Sequence, residues 1–241
     1  MDHAIRIGCS GWAYKDWKGP FYPAEMKDAE RLGFYQSRFS TVEINASFYR
    51  TPMAQAVENW AARAPPGFAF AWKASRFITH NKKLSDCQES VEFILERMAP
   101  LGTEAPILFQ LPPSLHRNLE RLATFIGWLP KGRRATFEFR HSSWYEPATY
   151  DLLTAHDLSL CISDHHAAPS PWIATASYVY VRGHGPGGRY FGSYEDAQLD
   201  DWANHIRRWR AEDRLVFGYF DNDIKSAAPS DAARLIARLD G

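Results

Sequence analysis

Residues 136–147 read "TFEFRHSSWYEP". Side chains of a strand alternate between its two faces, so Phe137 and Phe139 share one side and Glu138 and Arg140 the other, before His141 and Trp144 close the run. A charged group does not sit singly in a dry interior, because desolvation costs roughly several kcal/mol per ion. A strand of this kind needs neighbours that bring opposite charge into the same space.

Seven further runs rich in β-branched and aromatic residues supply such neighbours: "IRIGCS" (5–10), "TVEINAS" (41–47), "FAFAWKA" (68–74), "PILFQL" (106–111), "LSLCISD" (158–164), "YVYVRG" (178–183) and "LVFGYFD" (215–221). Segments with apolar residues at helical spacing lie between most of them, as at Ala54–Ala64, Val91–Gly102, Leu119–Leu129 and Leu199–Glu212. Eight strand–helix units are the signature of a closed parallel barrel, and a chain of 241 residues suits one such domain. The expected fold is α/β, a single (β/α)8 barrel of the triosephosphate isomerase (TIM) type over residues 1–241. The sixth unit departs from the rule: "AAPSPWIATAS" (167–177) is too short and proline-rich for a full helix, so a loop or a single turn, a reduced sixth helix, is expected. An open doubly wound sheet would carry a glycine-rich fingerprint after its first strand. "IGCSGWAY" lacks that spacing, so no dinucleotide cofactor is expected.

Strand alternation sorts the side chains into an apolar outer set and a polar inner one. Ile5, Ile7, Cys9, Val42, Ile44, Phe70 and Trp72 face the helices; Arg6, Gly8, Ser10, Glu43, Asn45 and Ser47 face the axis. The other strands add Ala71, Lys73, Gln110, Glu138, Arg140, Tyr178, Tyr180, Arg182, Tyr219 and Asp221, and the sixth ends at Asp164. Lys73, Arg140 and Arg182 can meet Glu43, Glu138, Asp164 and Asp221. In this architecture the C-terminal strand ends form the active-site mouth, and most of these residues fall at or near such ends. Arg6, at a strand start, reads as structural.

The loop "VRGHGPGGRYFGSY" (181–194) follows the seventh strand with five glycines, two arginines and a histidine, at the usual place for an anion in this fold. His141, His165, His166 and His184 lie just past strand ends, where histidine serves as acid, base or metal ligand. No His-x-His or His-x-x-x-His pair singles out a ligand, so no residue is assigned to metal, although a divalent ion stays open as a cofactor. Trp12, Tyr14, Trp17, Phe48, Tyr49 and Trp144 are expected at the rim. Neither the fourth nor the seventh strand ends on a carboxylate, which disfavours the large glycoside hydrolase clan of this fold, and no nucleophile elbow occurs.

Acidic and basic residues balance at 28 each, so no overall positive field favours a nucleic-acid or membrane-surface partner. Three widely spaced cysteines argue against a disulfide framework, and no segment approaches the length of a membrane span. The N-terminal "MDHAIRIGCSGWAY" has no export signal pattern, and a cytoplasmic location is expected. The sequence assigns no oligomeric state.

Taken with "IRIGCSGWAYKDWKGPFYP", "FSTVEINASFYRTP", "FAFAWKASRFITHNKKL", "ILFQLPPS", "FEFRHSSW", "YVYVRGHG" and "FGYFDND", the chain resembles the domain-of-unknown-function family 72, also called YecE-like. The resemblance spans nearly the whole chain and implies a TIM-type barrel without a settled activity. The expectation for function is an enzyme acting by general acid–base chemistry on a small anionic, phosphorylated substrate. Glu43, Lys73, Glu138, His141, Asp164, His184 and Asp221 are its candidate catalytic groups. Ser10, Trp12, Asn45, Tyr49, Gln110, Arg140, Trp144, Arg182, Gly183 and Tyr219 are its candidate binding groups. Two alternatives stand beside it: a metal-dependent phosphoesterase or isomerase, and a non-catalytic nucleotide or nucleic-acid binding module, the latter disfavoured by the neutral charge.

Overall fold

A computed structural model describes residues 4–240. Of the domain expected over 1–241, the first three residues and the last lie outside the described ones. Eight parallel strands close into a barrel in chain order: β1 (Ile5–Ser10), β2 (Thr41–Ile44), β3 (Ala69–Lys73), β4 (Ile107–Gln110), β5 (Ala135–Glu138), β6 (Ser159–Ser163), β7 (Tyr178–Gly183) and β8 (Leu215–Phe220), with β8 pairing back to β1. Around them run α1 (Arg31–Gln36), α2 (Ala54–Arg63), α3 (Gln88–Met98), α4 (Leu119–Ile126), α5 (Pro147–Ala155), α6 (Asp196–Ala211) and α7 (Ala227–Leu239). No helix among the described residues is long and apolar enough to cross a membrane.

The outer core follows the predicted parity. Ile7, Cys9, Val42, Ile44, Phe70, Trp72, Phe109, Phe137, Ile162, Val179 and Val181 are buried in one cluster with the inner faces of the helices. A second, smaller cluster fills the lower barrel: Ala71, Leu108, Cys161, Tyr178, Tyr180, Phe217 and Tyr219. The interior is therefore layered, with an aromatic plug below and charge above. Each phenol in the plug has a partner, as buried tyrosines need: Tyr178 donates to the Ala135 carbonyl (2.7 Å), Tyr180 to Glu43 Oε2 (2.7 Å), and Tyr219 shares a bond with Thr41 Oγ1 (2.8 Å).

Two places depart from regular strand–helix alternation. Between β1 and β2, Tyr35 of the short α1 reaches into the sheet, where its hydroxyl accepts from Cys9 N (2.7 Å) and donates to the Thr41 carbonyl (3.0 Å). Gly8 makes room for this: a Cβ there would lie 2.1 Å from the Thr41 carbonyl oxygen and 2.7 Å from the Tyr35 hydroxyl. Between β6 and β7, where a loop or a single turn is expected, the chain runs as an irregular loop with no helical turn. The uncovered flank is closed by Trp172, stacked on His205 of α6 (4.1 Å, 10°) and against Trp202 and Trp209.

The strands also stop earlier than their apolar runs. β2 ends at Ile44 and passes into a 3-10 turn, so Asn45 and Ser47 are not successive inward strand positions, and β5 ends at Glu138, so Arg140 and His141 lie beyond it.

Candidate functional site

The strand register sets Ser10 beside Glu43, Gln110 beside Glu138, and Ser163 beside Arg182, all pointing to the axis near the C-terminal ends. Arg182 is the hub and has no exposed surface. Its Nε and Nη2 donate to Glu43 Oε2 and Oε1 (3.0 and 2.8 Å), Nη2 also to Asp221 Oδ2 (2.7 Å) and Ser10 Oγ (3.2 Å), and Nη1 to Glu138 Oε2 (2.8 Å). Guanidinium carries five N–H groups, and with His184 Nε2 as the second acceptor of Nη1 (3.0 Å) all of them are engaged. Glu43 also accepts from Ser10 and Tyr180. Although burial acts in the opposite direction, Arg140, Arg182 and other nearby positive charges hold the Glu138 carboxyl well below the usual range.

Above this layer, Arg140 Nη2 pairs with Glu138 Oε1 (2.5 Å) and Nη1 donates to Tyr190 (3.1 Å) in the loop after β7. His184 Nε2 faces both Arg182 Nη1 and Arg140 Nη2 at 3.0 Å. Guanidinium only donates, so Nε2 carries a lone pair and Nδ1 carries the proton, shared with Asp164 Oδ1 (3.2 Å). Burial together with the arginines keeps His184 neutral, its pKa well below the ordinary value. Asp164 further accepts from His184 N (2.7 Å) and from Tyr194, and burial raises it to about 6.

Lys73 sits at the end of β3 with 6% of its surface exposed. Its Nζ donates to Asn45 Oδ1 (3.0 Å) and lies 4.9 Å from the Phe48 ring centre, and no carboxylate among the described residues comes within ion-pair distance. Burial, then Arg182, lowers its pKa. Across the mouth, burial raises Asp221, and burial with Asp221 nearby pushes Asp223 up to about 9. Asp223 Oδ1 has no hydrogen-bond partner.

Several expected site residues are brought together here: Ser10, Glu43, Asn45, Lys73, Glu138, Arg140, Asp164, Arg182, His184 and Asp221, with Gln110 half-buried beside them. Others lie elsewhere. His141 caps the turn Ser142–Trp144 through Ser143 and stacks on His116 (3.9 Å). Trp144 is buried in the outer core, flat on Phe139 (4.5 Å, 7°) with its indole N–H on the Leu115 carbonyl (2.7 Å). Gly183 faces outward: a Cβ there would meet Tyr194 and Trp202. Tyr219 is sealed in the aromatic plug, and Trp17 is buried with its indole N–H on the Asp223 carbonyl. Two glycines after β7 pack against backbone: a Cβ on Gly185 would lie 2.3 Å from the Phe191 carbonyl oxygen, and one on Gly188 2.4 Å from the Asp164 carbonyl oxygen and the His166 nitrogen, whereas Gly187 has open space around it. Trp12 and Tyr49 do reach the rim, lining a pocket of about 220 Å³ with Tyr14 and Asn45.

Three mouth residues were not singled out by sequence. Asp223 follows the last strand, Tyr190 lies in the glycine-rich loop, and His80 sits in a π-turn (Phe77–Asn81) against Phe48. Burial and the positive charge of Lys73, Arg76 and Arg140 push His80 down to about 4. Only the density of functional residue types after β3, β7 and β8 signals them. The carboxylates that might have ligated a metal aim their oxygens at Arg182, and no group of three or more His, Cys, Asp or Glu with ligating geometry occurs among the described residues.

The chain is similar to the UPF0759 protein YunF of Bacillus subtilis, 26% identical over 275 aligned residues that cover 98% of this chain and 95% of YunF. It is also similar to the UPF0759 protein YecE of Escherichia coli K12, 28% identical over 148 residues, covering 58% of this chain and 50% of YecE. In structure it resembles a DUF72 family protein of Thermotoga maritima, with a TM-score of 0.90 and 26% identity over 98% of this chain and 99% of the other. A DUF72 family protein of Enterococcus faecalis shares the fold at a TM-score of 0.83 and 21% identity, over 98% and 96% of the two chains. Residues 6–241 match the family described as "Protein of unknown function DUF72", and the chain belongs to that family.

Proposed function

We propose that this protein is an enzyme that binds a small anionic substrate, phosphorylated or carboxylated, at the C-terminal mouth of the barrel. The observation that carries this reading is the division of charge by depth: Glu43 and Glu138 are sealed against Arg182 in the floor, Asp221 meets the same guanidinium from just past β8, and Lys73 at the end of β3 and Arg140 just past β5 stand above it. His80 and His165 both carry the imprint of those cations, each pushed down to about 4 by burial and neighbouring positive charge. The positive charge of Lys73 and Arg140 on this side of the mouth favours an anion there.

The geometry supports a narrower set of acid–base groups than composition suggests. Glu43 and Glu138 are committed to Arg182, and His184 Nε2 is committed to two guanidiniums. Proton transfer falls to groups that keep an atom free of guanidinium: Lys73, Asp223, and Asp221, which meets Arg182 through Oδ2 alone. The carboxyls are raised, and the amine is lowered, toward the range where each can exchange a proton near neutral pH.

Thermal shift against inorganic phosphate and phosphorylated sugars tests the reading. Ligand at a hundredfold excess over its Kd stabilises the folded state by about 2.7 kcal/mol. The expected result is a rise in Tm with at least one such anion that is lost in Arg140→Gln and retained in Lys131→Ala on the surface. A folded protein whose Tm no anion in the panel moves would overturn it.

A further inference from the structure

Lys73 is a buried amine whose surroundings withhold what a buried ammonium needs. A charged lysine in a low-dielectric site is normally met by a carboxylate. Three carboxylates share the barrel interior, yet each is drawn to a guanidinium: Glu43 and Asp221 to Arg182, and Glu138 to both Arg182 and Arg140. Lys73 receives a neutral amide oxygen from Asn45 and the face of Phe48. Arg182 repels its positive form, Asp221, Glu43 and Glu138 favour it, and His80 stands on the turn that follows. A desolvated lysine beside a fixed cation is the arrangement that supplies a nucleophilic amine.

We propose that Lys73 forms a covalent imine with the carbonyl carbon of a small anionic aldehyde or ketone. This rests on the anionic-substrate reading, which it extends by naming the reactive group of the substrate. The Nζ lone pair attacks the carbonyl carbon as the C=O π electrons move to oxygen. The two protons of the amine leave with that oxygen as one water, and a C=N bond replaces C=O. Asp221, within electrostatic reach of Lys73, relays the proton, and Arg140 holds the anionic group of the substrate. No oxidant or reductant enters the step.

The test is reductive trapping. The protein is incubated with glyceraldehyde 3-phosphate, with pyruvate, or with neutral glyceraldehyde, in the presence of cyanoborohydride, and labelled peptides are located by mass spectrometry. The expected result is one adduct on Lys73 from an anionic carbonyl, at least about tenfold faster than on exposed Lys15 or Lys131, and slowed by inorganic phosphate. Lys73→Arg abolishes that adduct. Asn45→Asp sets a carboxylate beside Nζ, so labelling at pH 7 falls by about tenfold or more and recovers as pH rises, a response that a merely structural lysine would not give. Lys73 labelled no faster than the surface lysines by any of the three carbonyls overturns the imine. If phosphate still raises Tm through Arg140 in that case, the anion reading stands without it. Equal labelling of Lys73 by neutral and anionic carbonyls, with no competition from phosphate, keeps the nucleophile and overturns the anionic requirement.

Discussion

Arg182 brings one positive charge into a space that holds three carboxylates and no water-exposed surface of its own. Removing one partner of a buried ionic network costs more than the network contributes, because the groups left behind remain desolvated and unpaired. Arg182→Met should therefore destabilise the protein by at least about 3–5 kcal/mol, read as a lower urea midpoint at unchanged slope. A loss under about 1 kcal/mol would mean the carboxylates find other partners or take up protons. The members of this network were legible in sequence, since strand parity alone aims Glu43, Glu138, Arg182 and Asp221 at one axis. Their division of labour was not: whether Arg182 or Lys73 captures the carboxylates depends on side-chain reach across the barrel, which parity does not encode.

At the scale of the element, the loop from Asp164 to Ser177 does the work of a missing helix with one indole. Trp172 is 37% exposed, yet its stacking on His205 shields the face of α6 that a sixth crossover helix would cover. Aromatic pairs of this kind contribute about 0.5–1.5 kcal/mol beyond area burial. Trp172→Ala should cost about 1–2 kcal/mol and increase hydrogen exchange along α6, and unchanged exchange would show that α6 is held by the barrel alone. Proline content made this departure readable in advance, because Pro169 and Pro171 interrupt any helical run. The early stops of β2 and β5 were not readable, since "TVEINAS" and "ATFEFR" keep strand-like composition past the point where a 3-10 turn or a bend takes over. Those stops carry Asn45 and Arg140 to the mouth and leave His141 to cap the turn that follows.

For the whole molecule, pH acts through groups whose environments pull in opposite directions. His80, His165 and His184 are all lowered, so between their folded values and about 6.5 the unfolded chain binds more protons, and acidification through that window removes stability. Asp164 and Asp223 are raised, to about 6 and about 9, so the folded chain binds more protons there and stability is lost as pH rises. Asp223→Asn removes the second effect where it is largest. Its stability relative to the parent should grow as pH rises from about 4 to 9, by no more than about 1.4 kcal/mol per unit, measured by urea unfolding across pH. A difference independent of pH would show that Asp223 ionises normally. The sequence by itself determined the eight-stranded barrel, the apolar outer layer and the concentration of charge at the C-terminal strand ends, because local periodicity and turn chemistry act within a few residues of each other. Only the tertiary structure decided which charges are spent on one another and which face the opening. Pairing across the barrel joins residues 139 positions apart, as Glu43 and Arg182 are, and desolvation acts on the three-dimensional neighbourhood rather than on the order of the chain.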